Sequence, residues 1–450
     1  MRYTYINILI LICLNLNARM FFGQQLSSHP LTSYGIGDYQ LNDHGTYTAL
    51  GNIYTPFLDS GQLNYLNPAS YASLSKGNTL YSIGVSQRIS FYSQAGQRDI
   101  RPNGNLTHLA LGFRLKNHFG LCFGLKPLAT KGYYLSEKIF TGIDSIKNTY
   151  EGSGYINQVF LGTSYAPIVS KRTYLGFGLN ANYNFGSVKN LRMSQLIQGT
   201  TASGGIMENF IRIYDLSVEF GAAFYQKISV KNDVRIGATF KPQQALNSQF
   251  ESAFYSANNL NAPSTYDTLF TSNTIGLTNQ GQSFAIGMDY RIALNPRKVK
   301  TKTLHPELNI AAQYSSNGAF SYSVDSLNHA SSPGYRYSFG FEFKPEKFLY
   351  ENIATLGFFD KFTYRIGAYL GTLPYVDANN ISFKERAITV GLGIPVLAQQ
   401  SFSSINFACT LGQRGTFTTN ALQENFLAFQ LNAILSPASF ERWFRKRKMD

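Results

Sequence analysis

Charge is sparse in this 450-residue chain: 14% of residues are Asp, Glu, Lys or Arg, against roughly 25% in an ordinary soluble domain. There is one Trp, there are three Cys, and past residue 25 no apolar run is long enough to cross a bilayer as a helix. The last absence excludes a helical membrane protein. It does not exclude a barrel, whose strands cross with alternate residues only. The cysteines are too few for a disulfide scaffold. Disorder is excluded by what is present instead: 44% apolar residues, with 35 Phe and 30 Tyr, provide ample surface to bury.

Chemistry is missing as well. No G-x-S-x-G, H-E-x-x-H, C-x-x-C, P-loop or G-x-G-x-x-G stands before a suitable helix. The histidines, His29, His44, His108, His118, His305 and His329, are scattered without metal-ligand spacing. His329 near Asp325 is the one pair worth inspecting for catalysis, and it lacks an orienting third group. The sequence therefore points away from an enzyme, and to no cofactor and no metal. The formal charge of +14 would suit nucleic acid, but no basic recognition helix exists and export would remove the chain from that partner.

Export is signalled by Arg2 followed by the apolar run Ile6–Leu14, the layout of a secretory signal peptide. Residues 1–23 are assigned to it, with Gly23 preferred over Ala18 as the cleavage point. Cys13 goes with it, leaving Cys122 and Cys409.

From residue 79 the chain alternates. In Leu175-Gly176-Phe177-Gly178-Leu179-Asn180-Ala181-Asn182-Tyr183 every odd position is apolar and every even one is Gly or Asn. In a strand this separates a greasy face from a small, polar one. The pattern returns at Leu109/Leu111/Phe113, Phe119/Leu121/Phe123, Val234/Ile236/Phe240, Phe284/Ile286/Met288, Tyr337/Phe339/Phe341, Tyr364/Ile366, Ile388/Val390/Leu392 and Leu427/Phe429/Leu431. A bulky aromatic face opposite a face of Gly, Ala, Ser and Asn suits lipid outside and a crowded lumen inside. Residues 79–435 are therefore read as an all-β, transmembrane antiparallel barrel of about 14 strands in the outer membrane, 16 if residues 266–277 add a hairpin. Stretches 133–153, 189–209 and 247–279 are read as long outer loops.

The alternation also assigns the thiols: Cys122 falls in phase with the lumen and Cys409 with lipid, so they cannot pair. Charges in lumen phase are Arg88, His108, Arg114, Asp215, Glu219, Arg235, Asp289, Arg291, Arg336, Glu342 and Arg365, expected to pair with one another or with a plug. Residues 24–78 do not alternate and form an N-terminal plug segment. Residues 436–450 are a basic periplasmic tail in which Trp443 and Phe444 anchor at the membrane interface while Arg445 and Lys446 reach headgroups.

Three short segments carry a family resemblance. Ser33-Tyr34-Gly35-Ile36-Gly37-Asp38, Asn64-Tyr65-Leu66-Asn67-Pro68-Ala69-Ser70-Tyr71 and the ending Arg442-Trp443-Phe444-Arg445-Lys446-Arg447-Lys448 resemble patterns in outer-membrane proteins of the Bacteroidota. The triplet Asn67-Pro68-Ala69 resembles the hatch of the FadL-type long-chain fatty-acid transporters, which are 14-stranded and plugged. The resemblance implies passive transport of a small hydrophobic solute through a plugged barrel. The chain departs from it by running on past Leu435. The alternative is a non-conducting barrel, a subunit or scaffold of an outer-membrane secretion or assembly complex. Expected partners are thus outer-membrane lipid and either a hydrophobic small molecule or other subunits of such a complex.

Overall fold

The computed structural model describes residues 30–33, 35–39, 44–142, 144–198, 201–258, 260, 266–299, 302–324, 327–347, 356–376, 381–396, 403–416 and 421–436. The signal peptide, most of the C-terminal tail with Trp443, Phe444, Arg445 and Lys446, and Asp325 lie outside them.

Alternation becomes a closed antiparallel wall. Its strands are β1 (Thr79–Gln94), β2 (Gln97–Lys116), β3 (Phe119–Phe140), β4 (Ser145–Val169), β5 (Thr173–Gln198), β6 (Thr201–Lys227) and β7 (Asn232–Lys241). The ring continues with β8 (Ser283–Ala293), β9 (Glu307–Asn317), β10 (Gly334–Lys344), β11 (Thr363–Val376), β12 (Ser382–Pro395), β13 (Ser404–Gly415) and β14 (Gln423–Leu435). Each pairs with its neighbours, and β14 returns to β1 from Tyr81↔Leu435 to Ser93↔Gln423. Five of the sheet's nineteen strands lie off the ring, leaving a barrel of 14.

The outward side chains are the apolar set. Leu161, Phe177, Phe220, Ile286, Phe339, Ile366, Ile388 and Leu411 are all exposed, as a lipid-facing band requires. Aromatic rings mark both edges of the band. Phe284 and Tyr314 (5.6 Å), then Tyr314 and Tyr337 (5.0 Å), adjoin at the outer edge, and Phe119 and Tyr165 (5.0 Å) at the inner one.

The stretches expected as outer loops are strand. β4, β5 and β6 have 25, 26 and 27 residues against 11 in β8, β9 and β10. Gln244–Ala257 and Tyr266–Gln280 pair with each other over the segment expected as a loop, prolonging β7 and β8 rather than adding wall strands. These stretches lie above the lipid, where the outer face need not be apolar, so the pairing persists while the greasy alternation fades. The inner connection 294–305 holds a small hairpin of Arg297–Val299 and Lys302–Leu304, and the one before β11 ends in a 3-10 turn, Phe359–Lys361.

One seam is incomplete. β2 and β3 pair only from Leu109↔Leu125 to Lys116↔Phe119. Beyond it β2 stays with β1 and β3 with β4, whose register shifts at Pro127/Ala129. Pro102 in β2 has no N–H to donate, which an open edge tolerates.

Candidate functional site

The lumen is filled by residues 44–75, starting with the helical turn Gly45–Thr48 and ending in the 3-10 turn Pro68–Ser73. Tyr47, Ile53, Leu63, Tyr65 and Tyr71 are at most 1% exposed. They share one core cluster with Ala110, Cys122, Phe160, Ala285, Ala311 and Ile434 from the wall. Cys122 is buried there and Cys409 is partly exposed, both as free thiols.

Asn67 starts the second turn. Extended backbone at Asn67, fixed by the following Pro68, lets its Oδ1 accept from the Ala69 N–H (3.1 Å) as an N-cap. Its Nδ2 donates to the Thr55 carbonyl at 2.7 Å. Tyr174 of β5 donates to the Ala69 carbonyl (2.7 Å) and Tyr71 to Asn180 Oδ1 (2.9 Å). Asn67 and Ala69 are thus each tied by hydrogen bonds.

On the opposite wall Gln313 does similar work. Its Oε1 accepts from the Tyr54 and Thr55 N–H groups, both at 3.0 Å, and from the Thr55 hydroxyl at 2.9 Å; its Nε2 donates to Asn52 O. Thr389 Oγ1 donates to Ala49 O and accepts from Gly51 N. Backbone carbonyls and amides of an irregular buried segment need such partners. Where no side chain is supplied, lumen glycines let the segment's backbone lie directly on the wall: Gly178 faces Pro68, Gly237 faces Thr55 and Gly340 faces Leu50.

Most charges in the lumen are paired among the described residues. Arg365 meets Glu342 at 2.7 Å, Arg235 meets Asp289 at 2.6 Å, and Arg88 meets Glu424 at 2.8 Å. Glu385 takes Arg336 and Arg414, each at 2.7 Å, and Arg414 also reaches Asp38 at 3.3 Å. Arg291 pairs with Asp233, and Glu219 stands between Lys126 and Lys241, 3.7 Å from each. His108 is held by Ser82 (2.8 Å) and Asn432 (3.1 Å) and stacks on His44 with ring centroids 5.0 Å apart. Two of the sequence-selected residues stand apart. Asp215 lies where the strand beside β6 breaks, accepting from both nitrogens of Asn247. Arg114 closes the inner mouth, bonded to the carbonyls of Lys116, Asn117 and Leu74 rather than to an acid.

Little space is left. A cavity of about 80 Å³ lies among Arg88, Arg336, Glu385, Arg414 and Glu424, and another of about 50 Å³ among Tyr65, Lys126 and Glu219. At about 30 Å³ per water in the liquid, these are sites for a few waters. His329 sits on the outer side, 5.7 Å from the Tyr322 ring, and burial lowers its pKa. Among the described residues no His, Cys, Asp or Glu group could hold a metal.

The profile of one protein family, BamG, matches residues 5–450. The chain belongs to the BamG family. No curated protein matches it in sequence. In solved structures this BamG-family chain is similar to the P. putida toluene transporter TodX, with a TM-score of 0.54 at 13% identity, covering 88% of this chain and 99% of that one. It is also similar to the CymD monoaromatic hydrocarbon channel, with a TM-score of 0.51 at 10% identity, covering 89% and 99%. At these identities the likeness is one of fold, and the fold of this BamG-family member is that of an outer-membrane β-barrel.

The functional residues that sequence reasoning missed are mostly partners: Asp233, Glu385, Arg414 and Glu424 for the charges, Gln313 and Thr389 for the inner backbone. A readable signal existed for Glu385, which alternates with Lys384 and Arg386 and so takes the opposite face of β12. None existed for Gln313, because its partners, backbone groups and the Thr55 hydroxyl, lie more than 250 positions away.

Proposed function

We propose that the protein is a plugged, non-conducting barrel that serves as a subunit or scaffold of an outer-membrane complex. The observation that carries this reading is the packing of residues 44–75 against strands around the ring, with acids and bases paired beside it and cavities of about 80 and 50 Å³ among them. A hydrophobic solute would have to displace the inner segment and cross a charged lining, both costly. Purified protein in planar bilayers should show no conductance, vesicles should show no toluene flux, and mild-detergent purification should recover partners in fixed ratio. Flux with no partner would overturn the reading.

A second reading, passive passage of a small hydrophobic solute, is favoured by the open seam between β2 and β3 and by a fold shared with a monoaromatic hydrocarbon channel and a toluene transporter. It requires the Asn67-Pro68-Ala69 turn to shift. Flux that responds to substitution at Asn67 would establish it.

A further inference from the structure

The seam places backbone edges in an unusual position. Residues 97–107 of β2 pair on one side with β1, and on the other side have no strand partner among the described residues. On β3, residues 126–140 pair with β4. Among the described residues, strand pairing on their other edge is confined to Ala129 and Thr130, with Tyr39 and Asp38. The exposed outward side chains of this part of β2 include Ile100 and Leu106, which continue the lipid-facing row of Leu109. The lower part of the open edge therefore lies within the apolar band. Lipid cannot satisfy N–H and C=O groups, and open strand edges do not persist in hydrocarbon.

The chain's own N-terminal segment shows what the seam accepts. Asp38 and Tyr39 add to β3 as an antiparallel strand. Thr32 exchanges hydrogen bonds with Gly132 through its hydroxyl (2.8 and 3.2 Å), and Lys131 Nζ donates to Gly35 O at 2.6 Å. The Asp38–Arg414 pair anchors the segment across the lumen. Among the described residues this covers the β3 side and leaves β2 without a strand partner. At the outer rim the two edges flank a cavity of about 480 Å³ lined by Gln97, Arg101, Tyr133 and Glu151.

We propose that the open edge of β2 is a strand acceptor, to which an extended polypeptide segment of another outer-membrane protein adds by backbone pairing. Main-chain hydrogen bonds would supply the affinity, and alternate side chains would meet lipid on one side and the lumen on the other. The inference rests on the reading of the protein as a subunit of a complex.

The test uses the full chain in its native membrane. A benzophenone amino acid replaces Gly104 or Leu106, which face outward beside the open edge. A Cβ at Gly104 would meet only Ser86 O, at 3.8 Å. Val390 and Leu411, on a fully paired part of the wall, serve as control positions. Heat-modifiable gel mobility verifies that each variant is folded. After irradiation, positions 104 and 106 should give adducts to one contiguous partner segment, and the adducted residue should move by two when the probe moves by two. The control positions should give none. Adducts to acyl chains alone, or protein adducts that do not track the probe, overturn the proposal. If partners still co-purify in that case, the subunit reading survives. If they are absent and solute flux appears, both fail.

Discussion

The glycines under the inner segment offer the sharpest test of how that segment is held. Gly178 and Gly237 lie on different strands, and a Cβ on either would fall inside contact distance of backbone, that of Pro68 and Thr55 respectively. Backbone cannot swing aside as a side chain can. Gly178→Val and Gly237→Val should therefore each cost about 1–3 kcal/mol, the usual penalty for overpacking. The two partners are linked, because Asn67 beside Pro68 donates to the Thr55 carbonyl, so the double variant should lose more than either single one without the losses simply adding. Valine itself is favourable in a strand, so any loss comes from the lumen. The assay is the temperature at which the folded gel band converts to the unfolded one, read beside single-channel conductance. Gly104→Val, facing open space, is the control and should stay within about 0.5 kcal/mol. A double variant that melts with the wild type and stays silent in bilayers would refute the idea that the inner segment's backbone rests on the wall.

Other expectations follow from the same interior. Glu385→Ala strands Arg336 without a carboxylate and leaves Arg414 with Asp38, and should cost about 3–5 kcal/mol, seen as an earlier gel-band transition; adding Arg336→Ala should recover part of it. Gln313→Leu leaves the Tyr54 and Thr55 amides unsatisfied, about 1–3 kcal/mol for each buried group, and should speed protease cutting within residues 50–56 in folded protein. Gel mobility should not change with reductant, and a lipid-soluble maleimide should label Cys409 well before Cys122, because only Cys409 has an exposed flank.

Much of the wall was legible because its physics is local. Leu175 to Tyr183 declares both faces of β5 without any knowledge of its neighbours, and fourteen such stretches give the strand count. The reach of β3 to β6 above the membrane was not legible. Once water replaces lipid, the outer face carries Lys189, Glu208 and Arg212, and polarity there reads as loop. Lys189 and Glu208 are in fact a cross-strand pair at 2.7 Å. The site was half legible. Phase alone put Arg235, Asp289, Glu342 and Arg365 in the lumen, but which acid each base meets depends on register between strands. Asp215 shares the inward phase of Ile213 and Ser217, but phase carries no information about height, and it sits at a break in the adjoining strand.

The order of the chain has a kinetic consequence. The inner segment comes first, the wall is made after it, and the ring shuts only when Tyr81 meets Leu435. Pairing positions so distant in sequence is intrinsically slow. Until then the leading edge of β1 stands unpaired, while Pro68 and Thr55 already have partners on β5 and β7 and Ala49 and Gly51 await Thr389 of β12. The finished lumen has no room to admit that segment afterwards. The wall must therefore wrap around a core already in place, with the last hairpin as the clasp, and any factor that assists its insertion has to shield β1 for nearly the whole of assembly.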